Sequence, residues 1–353
     1  MSVTNLTHAF RLTTDVSYLR PLMSKKEIVM SGIRPTGFLH LGNYFGAMRN
    51  WVRMQDEFEC FFSVVDWHSL TTHPDTKELS ANVKRVFAEC IAAGLDPGKC
   101  TFHKQSDVPE IAELYLCLNM LAYKGELEKT ATFKDKVRQS PDNVNAGLLT
   151  YPVLQTADIL IHRALYVPVG KDQEQHLEMA RNFADRFNHR YGEVFPQPKA
   201  FNYNSELIKI MSLDGTGKMS KSENQNATIY LGDEDDLIRK KIMKAKTDGG
   251  PTAANSVKPD YIENVFQLMR LVSTEETLAK FEKDYDNCSI RYGDMKKQLA
   301  EDMVAFVAPI RQKATAIQQD EKYLAEIMEK GAVKARKSAM ATMQLVRQAM
   351  GFK

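Results

Sequence analysis

The sequence predicts an α/β chain: a parallel sheet covered by helices, of the nucleotide-binding kind, with a smaller helical domain. Three observations predict it. Apolar runs of strand length alternate with helical patterns through the first half of the chain. A glycine-containing stretch, residues 32–43 (Gly-Ile-Arg-Pro-Thr-Gly-Phe-Leu-His-Leu-Gly-Asn), joins the first of these runs to the first helix. From about residue 228 the pattern becomes mostly helical, punctuated at Gly249-Gly250-Pro251 and Lys258-Pro259.

Composition bounds this reading. A chain of 353 residues, 43% hydrophobic and 26% charged, can bury a full core in one large or two modest domains. No apolar run approaches the ~20 residues of a membrane helix, and the longest, Cys60 to Val65, has a strand's length, so no membrane-spanning protein is expected. The net charge of +2 does not announce a nucleic-acid binder. Any RNA contact must come from local patches, for which Arg239-Lys240-Lys241 through Lys244 and Lys246, or Lys334 with Arg336 and Lys337, are candidates. Each also reads as a solvated helix face. The five cysteines lie in apolar contexts without a Cys-x-x-Cys pair, as reduced core thiols of a cytosolic protein do, and no metal site is expected. Residues 1–22 are Ser/Thr-rich and precede Met23, which is either the physiological start or the end of a disordered or targeting tail.

The elements follow in order. Ile28, Val29 and Met30 suit a buried strand, and Gly32 and Gly37 let the backbone turn. Leu41 to Met54 is a helical pattern whose first turn, near Gly42 and Asn43, can face a phosphate or an adenine; such turns also occur as plain connections. Glu59 to Asp66 is a second strand. The helix Thr76 to Ala93 carries Asp75 and Glu78 at capping-box spacing, and Cys100 to Gln105 makes a third strand. Ligands then belong at the carboxyl ends of the strands, where Asp66, Trp67 and His68 sit, His68 being either structural or functional. A helix runs from Pro109 to Tyr123, and Lys134 beyond it is either a surface charge or a nucleotide contact.

A helix beginning near Tyr151 would place Tyr151, Gln155, Asp158 and His162 on one face. Asp158 has Ala157, Ile159 and Leu160 for neighbours, and a carboxylate buried in such company needs a hydrogen-bond donor; an indole N–H, on a large apolar body, is a suitable one. A capping or salt-bridged surface Asp is the alternative. Val167-Pro168-Val169-Gly170-Lys171-Asp172-Gln173 reads as strand, turn and the start of a helix reaching His189. Finally, Lys218-Met219-Ser220-Lys221-Ser222 follows Gly215 and Gly217. Two ammonium groups three residues apart suit a triphosphate and the charge on departing pyrophosphate; a solvated loop is the plainer reading.

His40-Leu41-Gly42-Asn43 and Lys218 to Ser222 together resemble the two signatures of class I aminoacyl-tRNA synthetases, and Asn43 in its place, with Tyr-Pro-Val-Leu-Gln-Thr-Ala-Asp at 151–158, is similar to the tryptophanyl branch. The resemblance covers roughly residues 26 to 350. It implies a Rossmann-like catalytic domain over 23–227, a helical anticodon-binding domain over 228–308, and a segment 309–353 that returns to the catalytic domain. It implies that ATP, with Mg²⁺, meets Arg34, Pro35, Thr36, His40, Gly42, Asn43, Lys134, Gly170, Lys171, Asp172, Ile210, Met219, Ser220 and Ser222. Lys218 and Lys221 would also bind ATP and stabilise the transition state. Tryptophan would meet Asp158, Tyr151, Gln155, His68 and Gln173. The implied partners are L-tryptophan, ATP, tRNA(Trp) and a second copy in a homodimer, in the cytoplasm. The sequence departs from better-known relatives at Arg34, where they carry Gln, and at Gln155, where several carry Met. A tyrosyl enzyme, a non-catalytic RNA-binding paralogue and a small-molecule adenylyltransferase are the competing readings.

Overall fold

The computed structural model describes residues 26–139, 141–170, 174–203, 210–219 and 224–352, so the expected tail 1–22 and Met23 lie outside the described residues. Five strands form one parallel sheet: β1 (Ile28–Ile33), β2 (Glu59–Val64), β3 (Thr101–Lys104), β4 (Tyr166–Pro168) and β5 (Lys199–Phe201), in spatial order β3-β2-β1-β4-β5. The register is continuous, from Ile28 opposite Glu59 to Ile33 opposite Val64 and from Phe61 opposite Thr101 to Val64 opposite Lys104. The chain winds outward from β1 to β3, then returns to the other side of β1 for β4. That reversal opens a crevice at the carboxyl ends of β1 and β4.

Side chains alternate across the sheet, so each face has its own core. Val29, Cys60, Phe62, Val64 and Phe102 join one apolar cluster with the helix Leu79–Ala92 and the later helices. Met30 and Val167 join the other, with helices Glu110–Asn119, Tyr151–Leu160 and Glu174–Tyr191. Burial on both faces is why these strands read as unbroken apolar runs.

The later helices are Asp235–Met243, Asp260–Val272, Glu275–Asp286, Tyr292–Gln319 and Glu321–Met350. Tyr292–Gln319 runs unbroken through Pro309, so the sequence-based boundary at 308/309 falls inside one helix. The last helix lies across β3 and against Glu110–Asn119. Its Gly331 permits this approach: a Cβ there would come within 1.8 Å of the Phe102 carbonyl oxygen.

Several sequence expectations shift. The Leu41 helix contains a wide π turn at Tyr44–Met48 before continuing as Arg49–Glu57. The next helix starts at Leu79 and not near Thr76: Asp75 accepts from the Lys77 amide in a local turn, and Glu78 stands at the N-cap without a side-chain cap bond. The Tyr151 helix ends at Leu160, so His162 falls beyond its last turn, where its ring stacks on Phe61 at 4.1 Å. Cys60, Cys90, Cys100 and Cys117 are buried free thiols, whereas Cys288 is exposed, in a left-handed turn at φ 55 that interrupts the helical pattern. The Arg239–Lys246 patch is divided, because Lys241 is buried on Asp233 at 2.6 Å and Arg239 is taken up by Glu301 and Asp236. Among the described residues, no helix is long and apolar enough to cross a membrane.

Candidate active site at the carboxyl ends of the strands

The chain leaves β1 at Ile33 and turns, the Thr36 amide donating to the Arg34 carbonyl at 3.0 Å. Pro35 is buried, while Arg34 and Thr36 are half-buried. The Arg34 guanidinium donates to the Thr72 hydroxyl at 2.9 Å and lies 3.4 Å from His73 Nδ1. Leu39 and Leu41 then pair with 229–231: the Leu231 amide donates to Leu39 O at 2.8 Å and the Leu41 amide to Ile229 O at 3.1 Å. His40 between them is buried, and the Asn43 side chain accepts from its amide at 3.1 Å. This pairing brings sequence from far down the chain to the first helix.

The second signature stretch arrives beside it as a hairpin. Met211 bridges Lys218, the Ser212 amide donates to Gly217 O at 2.8 Å and the Met219 amide to Ile210 O at 2.8 Å. A Cβ on Gly42 would meet the His40 ring at 2.9 Å, so the glycine makes room for that ring, and the Met219 carbonyl oxygen lies in ordinary contact range at 3.6 Å, which puts the two signatures side by side. Ile210 and Met219 are buried in the core and anchor the hairpin, while Lys218 is exposed at its edge. Asp214 holds the turn: it accepts from Ser212 Oγ at 2.6 Å, Thr216 Oγ1 at 2.8 Å and Asn224 Nδ2 at 2.8 Å. The Ser212 hydroxyl bond is the largest cause holding the Asp214 carboxyl well below the usual carboxylate range. Ser220, Lys221 and Ser222 lie outside the described residues, as do Lys171, Asp172 and Gln173. Gly170 is half-buried just past β4, and Lys134 is exposed on the helix Ala131–Gln139.

The pocket around Asp158 is built differently. Asp158 is 2% exposed and receives His68 Nε2 on Oδ2 at 2.8 Å. Gln105 Nε2 donates to both of its oxygens, at 2.8 and 3.0 Å. The Tyr151 ring lies 4.4 Å from the His68 ring. Burial is the main cause raising the Tyr151 phenol above its ordinary value, opposed by the nearby Arg34 charge and assisted by Asp158. Arg34 bonds Thr72, and the Thr71 hydroxyl next to it donates to the His68 carbonyl at 2.8 Å, so the glycine turn and this pocket adjoin. Gln155 Oε1 and His68 Nδ1 are buried and have no hydrogen-bond partner among the described residues. Asp66, at the end of β2, accepts from the Trp67 and Ser106 amides and from Ser106 Oγ, so it fastens the strand ends to each other. Its carboxylate is consumed by structure.

Sequence reasoning overlooked Gln105 and Asp214. For Gln105 the signal was present, since it ends a strand at the edge where ligands gather. Asp214 carried none, because an Asp beside Gly reads as an ordinary turn. Among the described residues, no cluster of His, Cys, Asp or Glu could hold a metal ion.

Comparison with known proteins agrees with this arrangement. The family profile described as tRNA synthetases class I (W and Y) matches residues 23–308. The tryptophan–tRNA ligase of Porphyromonas gingivalis is 56% identical over 328 residues, spanning 93% of this chain and 100% of that protein. That of Rickettsia felis is 42% identical, spanning 93% of this chain and 99% of that protein. Among solved structures, tryptophanyl-tRNA synthetase from Campylobacter jejuni complexed with ADP and tryptophan superposes with a TM-score of 0.82 at 35% identity, covering 92% of this chain and 99% of that one. A tyrosyl-tRNA synthetase from Aeropyrum pernix, at 21% identity and a TM-score of 0.63, shares the fold. The meeting of the two signature stretches over the carboxyl ends of a parallel sheet, together with these relatives, places the chain in the tryptophan and tyrosine family of class I tRNA synthetases.

Proposed function

We propose that this chain is a tryptophan–tRNA ligase. Its full-length relatives carry that name, and its two signature stretches and the Asp158 pocket adjoin at one crevice. In the first step a tryptophan carboxylate oxygen bonds to the α-phosphorus of ATP as the bond to the β-phosphate oxygen breaks, releasing pyrophosphate. In the second, a terminal ribose hydroxyl of tRNA(Trp) takes the tryptophanyl group and AMP leaves. No side chain need form a covalent bond; the protein positions groups and stabilises charge. Mg²⁺ belongs to the ATP substrate complex.

The residues divide the work. Arg34, Pro35, Thr36, His40, Gly42 and Asn43 hold the nucleotide, with Gly170, Lys171 and Asp172 at the ribose and the Ile210 hairpin beside the base. Lys218 and Lys221, with Met219, Ser220 and Ser222 framing them, stabilise the leaving pyrophosphate. Lys134, exposed on its helix, is the remaining nucleotide contact of this reading. Asp158 accepts the indole N–H against Tyr151 and His68, while Gln155 and Gln173 serve the amino-acid end. Gln155 Oε1, buried without a described partner, supports that assignment.

Leu116, Met120 and Tyr123 are 57%, 68% and 62% exposed along one helix and the turn that follows it, an apolar face that supports a homodimer. Residues 228–308 supply the anticodon-binding part, and the cytoplasm is the site of action. The observation that carries the reading is the meeting of the His40–Asn43 stretch with the Met211–Met219 hairpin at the carboxyl ends of the sheet. Amino-acid-dependent ATP–pyrophosphate exchange tests it: exchange with tryptophan and not tyrosine is expected, and exchange with neither would overturn it.

A further inference from the structure

We propose that Gln105 is the positioning residue of the tryptophan pocket, its carboxamide holding the Asp158 carboxylate in place as an acceptor; this rests on the reading of Asp158 as the indole partner. Gln105, Asp158 and His68 are 0%, 2% and 2% exposed. A carboxylate so far from water survives only if donors replace its hydration. Gln105 supplies two of the three contacts described, at 2.8 and 3.0 Å, and His68 the third at 2.8 Å.

The orientation of the amide is not free. Gln105 Oε1 accepts from the backbone amides of Trp67 at 3.1 Å and His68 at 3.4 Å, so a flipped carboxamide would set oxygen against carboxylate and NH₂ against N–H. The backbone at the end of β2 thus aims the amide, and the amide aims the carboxylate. An NH₂ group can only donate, so it meets the carboxylate oxygens as acceptors and leaves Asp158 suited to a ligand that also donates. Among the described residues Oδ1 accepts one bond, from Gln105, so it retains acceptor capacity.

One element sets the distance between the pair. The helix Glu321–Met350 presses Gly331 on Phe102, three residues before Gln105, and bonds Ser338 Oγ to His162 Nδ1 at 3.2 Å, four residues after Asp158. The C-terminal helix therefore clamps both carriers of the Gln105–Asp158 contact.

The test is pyrophosphate exchange against tryptophan concentration, from about pH 5.5 to 8.5, with the parent as control. The charged or titratable groups around the pair are His68, Tyr151, Arg34 and His176 through Tyr151, Asp66 through Ser106, and the buried His103 and His162 on the two carrier segments, both lowered by burial. In Gln105→Glu two carboxylates meet at high pH, and the KM for tryptophan should rise about tenfold or more while the KM for ATP and kcat stay within about threefold. As pH falls the pair shares one proton, the new side chain donates again, and the KM should return toward the parent value. Gln105→Met, which lacks the donor, should show the raised KM at every pH. A Gln105→Glu defect that is absent, or that matches Gln105→Met across the pH range, would overturn the proposal. If Gln105→Glu does not fold, Gln105→Met decides alone: a loss in kcat and both KM values together overturns it. Asp158→Asn separates the underlying reading, since an unchanged KM for tryptophan there would mean that the indole partner lies elsewhere.

Discussion

The two halves of the crevice are held by different physics. On the proposed amino-acid side Asp158, His68 and Gln105 sit inside the packed layers and bond to one another, with Gln105 Oε1 held by the Trp67 and His68 backbone amides. On the proposed nucleotide side Lys218 is exposed at the edge of a hairpin held by two buried anchors, a few backbone bonds and one aspartate. Discrimination between donors of similar shape benefits from a rigid acceptor, because a partner lacking the hydrogen bond leaves a buried charge unpaired. Charge that develops only as the bond breaks is better met by groups that close on it late. In the proposed function the packed pocket serves the first task and the exposed edge the second.

The comparison breaks most plainly at the lysines. Lys218→Ala, and likewise Lys221→Ala, should lower the rate of adenylate formation about 10²- to 10³-fold while tryptophan affinity changes little, read by single-turnover kinetics beside equilibrium binding. Equal losses in both would place the lysines in ground-state binding.

The packed side should instead reveal itself through stability. Burial lowers the His103 imidazole to about 4 from its ordinary 6.5, and also lowers His162, whose ring lies 5.6 Å away. Between those values the unfolded chain binds the proton that the folded chain refuses. Stability is therefore intact above about pH 6.5 and falls as pH drops toward 4, by about 3 kcal/mol for His103 alone. Urea unfolding across that range measures it, and His103→Phe should flatten the profile. Gly331→Ala comes next: backbone cannot yield as a side-chain tip can, and about 1–3 kcal/mol of stability should be lost, with the KM for tryptophan raised through the displaced β3. An unchanged melting temperature would show that the C-terminal helix is not a clamp.

The smallest effect sharpens the hairpin side. Asp214→Asn keeps the shape but weakens acceptance from Ser212, Thr216 and Asn224, and should cost about three- to tenfold in kcat with little change in melting temperature. A large drop in melting temperature instead would make the turn part of the core.

Sequence alone determined the parallel α/β architecture, because strands covered on both faces read as near-continuous apolar runs, as Ile28–Met30 and Cys60–Phe62 do within Ile28–Ile33 and Glu59–Val64. It also singled out the chemistry-bearing stretches, since glycine turns, paired lysines and a carboxylate among aliphatics are local signals. Helix ends were less legible: Leu79 and Leu160 are set by neighbouring turns and packing that the periodic pattern does not encode. Tertiary structure decided who meets whom. That Gly42 faces Met219, that Gln105 and His68 share Asp158, and that Lys241 is drawn inside to Asp233 are contacts between residues far apart in sequence or turned inward by packing. The partner of a buried polar group is chosen by three-dimensional proximity, and a linear pattern records only that such a partner is needed.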